Sequence, residues 1–268
     1  AVTGSVTGLT NTGDILLPQA DSIRCTAIGG VMGEAILLKS TISTLSNSGD
    51  IKVENVNNKA MLNSIGGVIG RNFNMKITSQ TMSISDCTNS GNISLNEITA
   101  TNFVRAGGII ADLLSTGASK YETILTISNC TNSGNISRTT TTKTASSQSY
   151  AGGIVGAVGG KPGSANESLM GTALTISGCE NSGSIQFDQT NGTKALDNPA
   201  DCNAFGGIVG MIYGGMTNNP AKAYIPEIVS CVNKGTVSSY AGAVGGIAGL
   251  IYDWGKVSGT ESANCINE

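Results

Sequence analysis

The chain has 268 residues, a net charge of −3, 37 glycines and no histidine, and only 12% of its residues are charged. Without a basic stripe it lacks the usual electrostatic footprint of a nucleic-acid partner, and without histidine it cannot form a Ser-His-Asp or Cys-His catalytic centre. No apolar run approaches the roughly 20 residues that span a bilayer. Composition does not shift along the chain, so we expect one domain over residues 1–268.

One short motif recurs from end to end: an apolar residue or Cys, any residue, Asn, any residue, Gly, any residue, then Ile or Val. Its fullest copies are Cys87 to Ile93, Cys130 to Ile136 and Cys179 to Ile185. Successive motif asparagines are 34 to 52 residues apart, a period typical of solenoids, propellers and arrays. The motif asparagines are Asn11, Asn47, Asn89, Asn132, Asn181, Asn233 and Asn267.

Each repeat contains about three short apolar runs in the same order. The first precedes the Cys, the second begins at the Ile or Val after the motif Gly, and the third is a Gly-Gly-(Ile/Val)-x-Gly segment such as Gly152 to Gly156. A propeller blade would need four antiparallel strands, whereas three short runs fit one turn of a parallel solenoid. We therefore predict an all-β, right-handed parallel β-helix (β-solenoid) of about six to seven turns with inserted loops, the hand that parallel crossovers favour.

Stacking turns this motif into columns, because equivalent residues lie about 4.8 Å apart in neighbouring turns. The asparagine column is predicted to form a structural ladder, since each amide can share donors and an acceptor with the turns above and below. The motif Gly is predicted to take positive φ. The paired glycines predict the same backbone or a close approach of neighbouring chain.

Cysteine occupies one of these columns. Its slot holds Leu9 and Leu45 in the first two repeats, so we predict a buried thiol column in which Cys acts as a small hydrophobe. Bridges between adjacent turns remain open as the alternative. The spacings typical of metal sites are missing, so we expect no metal ligand. We also expect no cofactor-binding residue and no catalytic residue. The column is Cys87, Cys130, Cys179, Cys231 and Cys265.

Aromatic residues provide the one candidate ligand site. Tyr213 and Tyr252 share the same offset from their Gly-Gly pairs, and Trp254 follows two residues later, so the three are expected in adjacent turns. They would form a flat platform for a sugar ring or, alternatively, an aromatic stack that closes the lateral surface.

Insertions between the repeats give a second place where a ligand could bind, because insertions often form the binding face of a solenoid. A Thr-rich run, Thr139 to Thr142, lies in one of them. Ice binding would need threonines in register across many turns, and this run does not provide them. The insertions expected to project as loops are 137–150, 157–173, 186–204 and 211–226.

The stretches Gly107 to Ile136 and Gly152 to Ile185 resemble the GLUG-type repeat of large bacterial surface proteins, including those of Bacteroidetes. The resemblance implies a non-catalytic extracellular module, secreted or anchored in the outer membrane. It also implies a structural or adhesive role, with a glycan or a host or bacterial surface protein as partner. The family carries no catalytic residues to transfer to this chain.

Two other functions remain open. A β-helical polysaccharide lyase or hydrolase would need an acidic or basic cleft along one lateral face. A subunit of an extracellular filament would associate end to end, because a solenoid end presents unpaired backbone groups. The chain stops within a seventh motif copy at Asn267, so we expect it to be a segment of a longer protein.

Overall fold

The computed structural model describes residues 3–18, 27–35, 39–54, 64–74, 80–96, 104–115, 123–140, 149–159, 172–189, 203–213, 226–239, 242–252, 256–257 and 265–268. These residues form a parallel β-solenoid without a helix, as predicted. Five sheets run along the stack, and equivalent strands of neighbouring turns pair in parallel. Each sheet has six or seven strands, which confirms the predicted six to seven turns.

Sheets are numbered here by their order within a turn, and the first two flank the cysteine column. Sheet 1 contains Thr3–Thr7, Lys39–Ser43, Gln80–Ser85, Thr123–Ser128, Thr172–Ser177, Glu227–Val229 and Lys256–Val257. Sheet 2 carries the motif asparagines and contains Thr10–Asn11, Ser46–Asn47, Thr88–Asn89, Thr131–Asn132, Glu180–Asn181, Val232–Asn233 and Ile266–Asn267.

The other three sheets follow the motif glycine. Sheet 3 contains Ile15–Leu17, Ile51–Glu54, Ile93–Asn96, Ile136–Thr140, Ile185–Gln189 and Val237–Ser239. Sheet 4 leads into the paired glycines and contains Ala27–Gly29, Ser64–Gly66, Val104–Gly107, Ser149–Gly152, Ala204–Gly206 and Ala243–Gly245. Sheet 5 leaves them and contains Met32–Ala35, Ile69–Asn74, Ile110–Ser115, Val155–Val158, Val209–Tyr213 and Ala248–Tyr252.

The Gly-Gly segment is thus a turn between two strands, and each repeat has five strands instead of three. The largest apolar cluster joins sheet 1 and the cysteine column to sheet 5, as in Ile127 and Val155. A second cluster joins sheets 3 and 4, and a small third one lies between sheets 4 and 5. Sheets 4 and 5 therefore form an arch that is inserted between sheets 1 and 3.

The tip of this arch touches the asparagine column. A Cβ atom added to Gly108, the second glycine of its pair, would lie 2.3 Å from Asn132 Cγ and 2.0 Å from Gly153 O. The paired glycines therefore serve close approach, which was one of the two predicted roles. The motif glycines serve it too: Gly134 has no positive φ, and its added Cβ would lie 2.0 Å from Gly91 O. The prediction of positive φ for the motif Gly was wrong.

Positive φ occurs instead at the residue just before the Leu or Cys, where sheet 1 turns into sheet 2. Non-glycine residues hold this backbone at φ angles of 53 to 55° in four turns, and Gly8 and Gly178 hold it at 71° and 61°. Asp and Asn tolerate the left-handed region better than other side chains, whereas a β-branched residue is strained there. The four non-glycine residues are Thr44, Asp86, Asn129 and Ser230.

Thr44→Gly should therefore stabilise the solenoid. We expect the free energy of unfolding to rise by about 0.5–1 kcal/mol, because glycine relieves the left-handed strain and loses only the exposed hydroxyl contact of Thr44 with Thr7. Urea titration followed by circular dichroism measures the change. The neighbouring variant Ser43→Gly, in an extended strand, should lower stability; an equal gain from both variants would contradict the explanation.

Candidate functional site

The asparagine ladder is continuous through the described turns. Each Asn donates one Nδ2–H to the Oδ1 atom of the Asn in the following turn, at 2.7 to 2.8 Å. The other Nδ2–H bonds the carbonyl of the motif Gly two residues later, as Asn132 does to Gly134 at 2.9 Å. Asn47, Asn89, Asn132, Asn181 and Asn233 are buried. The predicted ladder is confirmed, and the amide groups of its asparagines bond to one another and to the backbone.

A second ladder of side-chain oxygens runs along the surface three residues after the motif Asn. Asp14 Oδ1 accepts the Asp50 backbone N–H at 2.9 Å, and Asp50 Oδ1 accepts the Asn92 N–H at 2.9 Å. Asn92 and Asn135 continue the pattern. The Asn92 backbone N–H, aided by Lys52, lowers the pKa of Asp50, so its carboxylate stays ionised. These oxygens satisfy backbone donors and are not arranged around a ligand.

The five motif cysteines lie in one column of unbridged thiols. Cys87, Cys130, Cys179 and Cys231 are buried and Cys265 is half-buried, each next to the apolar cluster of sheets 1 and 5. Their Sγ atoms lie within hydrogen-bonding distance of backbone carbonyls, as Cys130 Sγ does to Ser128 O at 3.3 Å. Neighbouring thiols and burial raise the pKa of Cys130 and of Cys231. Enclosed thiols of this kind are poor nucleophiles, because a reagent cannot reach them in the folded chain.

Alkylation of the folded chain tests this description. We expect iodoacetamide to leave Cys87, Cys130, Cys179 and Cys231 unmodified in native buffer and to modify all four in denaturant, because only unfolding exposes the thiolates. Peptide mass mapping reports each site, and the half-buried Cys265 should react first within the column. A mass 2 Da lower for a peptide pair, the signature of a disulfide, would contradict the unbridged column.

Charged side chains that the sequence analysis did not single out lie inside the arch. Arg105 of sheet 4 pairs with Asp112 of sheet 5, Nη1 to Oδ2 at 2.8 Å, and Ser64 Oγ lies 3.2 Å from the same oxygen. The side chain of Arg105 is 7% exposed and that of Asp112 is 1% exposed. Burial raises the pKa of Asp112, and Arg105 opposes that shift. One turn earlier, Arg71 pairs with Glu34 at 2.8 Å.

This network occupies the arch in the first three turns only. The equivalent positions in later turns are apolar or aromatic, such as Tyr150 with Ala157 and Ala204 with Met211. Sequence contained the signal: Arg105 and Asp112 stand two residues before and five residues after the first glycine of the same pair. Because Asp112 is enclosed, the pair cannot reach a polysaccharide as acid and base, and its role is to hold sheets 4 and 5 together.

Arg138 is a second buried cation, and its register partners in the two adjacent turns are Leu95 and Phe187. Its Nη1 donates to Ser149 Oγ, and the Ser149 backbone N–H donates to Asn203 Oδ1 at 2.8 Å. Burial lowers the pKa of Arg138 to about 10, so the guanidinium stays charged at neutral pH. This group joins sheet 3 to sheet 4 beside the first and third of the four insertions, 137–150 and 186–204.

The aromatic platform is only partly within the described structure. Tyr213 and Tyr252 are register partners at the end of sheet 5, in neighbouring turns. Trp254 lies outside the described residues, as do Cys25 and Cys202. The platform remains a prediction. Strands extend into each of the four insertions expected to be loops, for example at Ile136–Thr140 and Val209–Tyr213, so those boundaries were too wide.

The outward face of sheet 1 carries two neighbouring columns of hydroxyl groups, which we call the hydroxyl strip, beside a column that contains the exposed Ile124. Two columns of Ser and Thr run in register through the first five turns, one residue apart on either side of the buried Ile or Val column. Hydroxyls are thus aligned across many turns, although not at the Thr-rich run Thr139 to Thr142. The strip consists of Ser5, Thr7, Thr41, Ser43, Ser83, Ser85, Thr126, Ser128, Thr175 and Ser177.

Three further indications of function are metal ligands, membrane-spanning helices and similarity to known proteins. Within the described ranges, no three His, Cys, Asp or Glu side chains come together as metal ligands. None of the described residues belongs to a helix with the length and hydrophobicity that crossing a bilayer requires. No protein-family model, curated protein or solved structure matches the chain.

Proposed function

We propose that this chain is a non-catalytic, extracellular module of a bacterial cell surface that binds glycans and has a structural and adhesive role. The observation that supports it best is the ladder of amide–amide bonds at 2.7 to 2.8 Å, which fixes every turn against the next. A stack tied in this way displays its lateral faces at a constant spacing. The resemblance to GLUG-type surface repeats points the same way.

The polar groups of the arch and of the surface oxygen ladder favour binding over catalysis, whereas the exposed pair of Glu180 and Lys234 is an acid and a base that a ligand can reach. The acid and base that lie closest together in the arch, Asp112 and Arg105, are enclosed. The surface carboxylates Asp14 and Asp50 bond backbone N–H groups of the next turn. An enzyme of the lyase or hydrolase class would need an acid and a base that a sugar chain can reach.

A glycan panel separates these functions. The folded chain is immobilised and exposed to neutral and acidic plant polysaccharides and to host mucin glycans, and both retention and new products are measured. We expect retention without new reducing ends or unsaturated products. Turnover of any glycan would overturn the proposal in favour of a lyase or hydrolase. Absence of retention, with mass that grows with concentration in light scattering, would overturn it in favour of a filament subunit.

The aromatic platform gives the panel a site-directed arm. If the platform carries binding, Tyr252→Ala and Trp254→Ala each weaken retention, since the sugar ring loses an apolar ring face on which it stacks. Retention unchanged in both variants would remove the platform and leave the insertions or the sheet faces as the binding surface.

A further inference from the structure

We propose that the hydroxyl strip of sheet 1 binds an extended, neutral polysaccharide chain that lies along the solenoid axis. This inference rests on the proposed function, because it names the surface and the class of glycan through which the module adheres. It follows from four properties of the strip: unoccupied hydroxyls, absence of charge, limited area and a repeat that fits a sugar chain.

The central hydroxyls of the strip are available to a ligand. Ser83, Ser85, Thr126, Ser128, Thr175 and Ser177 are outward-facing, and within the described residues their hydroxyls make no hydrogen bond to the protein. Only the first turns differ, where Thr7 contacts Thr44 at 2.8 Å and Ser43 at 3.2 Å. Each free hydroxyl can both donate and accept, which matches the hydroxyls of a sugar.

The charge pattern selects a neutral partner. Over five turns the two columns contain no charged residue, and charge enters the first of them only in the sixth turn, at Glu227. The ion pairs of the outer surface lie on other sheets, such as Glu180 with Lys234 on sheet 2 at 3.1 Å. Within the two columns an acidic or basic polymer would find no counter-charge, and Lys39 and Asp86 border them at one turn each.

The area of the strip excludes a protein as the partner of this face alone. Five turns at the spacing of parallel strands are about 19 Å long, and the columns are about 7 Å apart, which gives on the order of 130 Å². A stable protein partner buries roughly 800 Å² on each side. A single polymer chain fits this narrow surface, whereas a broad crystalline plane would extend beyond it on both sides.

The repeat of the strip fits a sugar chain in register. Neighbouring turns are about 4.8 Å apart, close to the length of one pyranose residue in an extended β-linked chain. Each turn would therefore face about one sugar, and every turn of the strip offers that sugar two hydroxyls at the same two positions. Each contact is weak, but contacts made by one chain add, so affinity grows with the number of turns that the chain spans.

Calorimetric titration with cellohexaose, a linear neutral hexasaccharide, tests the inference. We expect cellohexaose to bind at least tenfold more tightly than cellobiose. In the double variant Thr126→Val with Ser128→Ala, we expect the association constant to fall about tenfold, because one turn loses two hydrogen bonds. The control Ser137→Ala removes a half-buried outward hydroxyl from sheet 3 and should change affinity less than twofold.

The outcomes distinguish this inference from the proposed function. Equal affinity of the double variant and the parent, with an unchanged melting curve, would overturn the inference and leave the glycan-binding function standing. Failure to bind any glycan of the panel would overturn both. Thermal hysteresis in supercooled water that the double variant lacks, without glycan binding, would assign the strip to ice and also overturn the inference. Preference for polygalacturonate over cellohexaose would contradict the neutral partner.

Discussion

Asn132→Ala lowers the free energy of unfolding by about 3–5 kcal/mol. Asn132 accepts a hydrogen bond from Asn89 and donates to Asn181 and to Gly134 O, at 2.7 to 2.9 Å and entirely within the interior. Alanine leaves a donor of Asn89, an acceptor of Asn181 and the Gly134 carbonyl without partners, and each buried unsatisfied group costs about 1–3 kcal/mol. Urea unfolding followed by circular dichroism measures the loss as a lower midpoint.

Asn135→Ala is the matched control for this substitution. Asn135 is three residues further along the same turn, and its exposed Oδ1 accepts the Ser184 backbone N–H at 2.9 Å. Water can replace that acceptor, so we expect a loss of no more than about 1 kcal/mol. If the two alanine variants unfold at the same urea concentration, burial of the amide chain does not stabilise the solenoid as described.

Gly108→Ala should be at least as damaging, by about 3 kcal/mol or more, because it forces apart the arch and the ladder. The new Cβ would lie 2.0 Å from Gly153 O and 2.3 Å from Asn132 Cγ, and neither the backbone of the next turn nor a hydrogen-bonded amide can yield. Urea titration or, if the protein is insoluble, limited proteolysis during refolding reports the effect. We expect loss of the protease-resistant core.

The last glycine of a Gly-Gly-(Ile/Val)-x-Gly segment provides the comparison. In Gly33→Ala the added Cβ has its nearest neighbour, Ala27 O, at 3.4 Å. The same slot of the third turn already contains Ala111. Stability should therefore change by less than about 1 kcal/mol, and a more restricted unfolded chain can even raise it. Equal damage from both substitutions would mean that general loss of glycine, not contact with the ladder, is responsible.

Repetition made much of this architecture predictable. A residue type that returns at one motif position must satisfy itself in a stack, and this requirement identified Asn132 and its equivalents as a ladder from the sequence alone. The Leu45 slot likewise indicated an apolar setting for the cysteines. Both inferences depend only on which residues share a column, and the column is set by the motif itself.

The features that sequence did not predict depend on where a strand bends. Gly-Gly was interpreted as part of one strand, because glycine pairs have no side chain that shows which face is buried. The structure places the bend there, with Gly66 of sheet 4 and Ile69 of sheet 5 in contact across it. Arg105 and Asp112 come together only through that bend, so their positions on either side of the glycine pair indicate an ion pair only once the arch is known. Likewise, the hydroxyl strip appears only once Thr41, Ser83 and Thr126 are aligned by strand register.

The interior amides all point the same way, since each one donates forward to the next turn and accepts from the turn before. Hydrogen bonds in such a row polarise one another. The amide dipoles therefore add along the solenoid axis to a dipole larger than that of any single repeat. A repeat could be exchanged for another copy without disturbing this dipole. A repeat inserted in reverse would meet donor with donor on one side and acceptor with acceptor on the other, and the row would break at both.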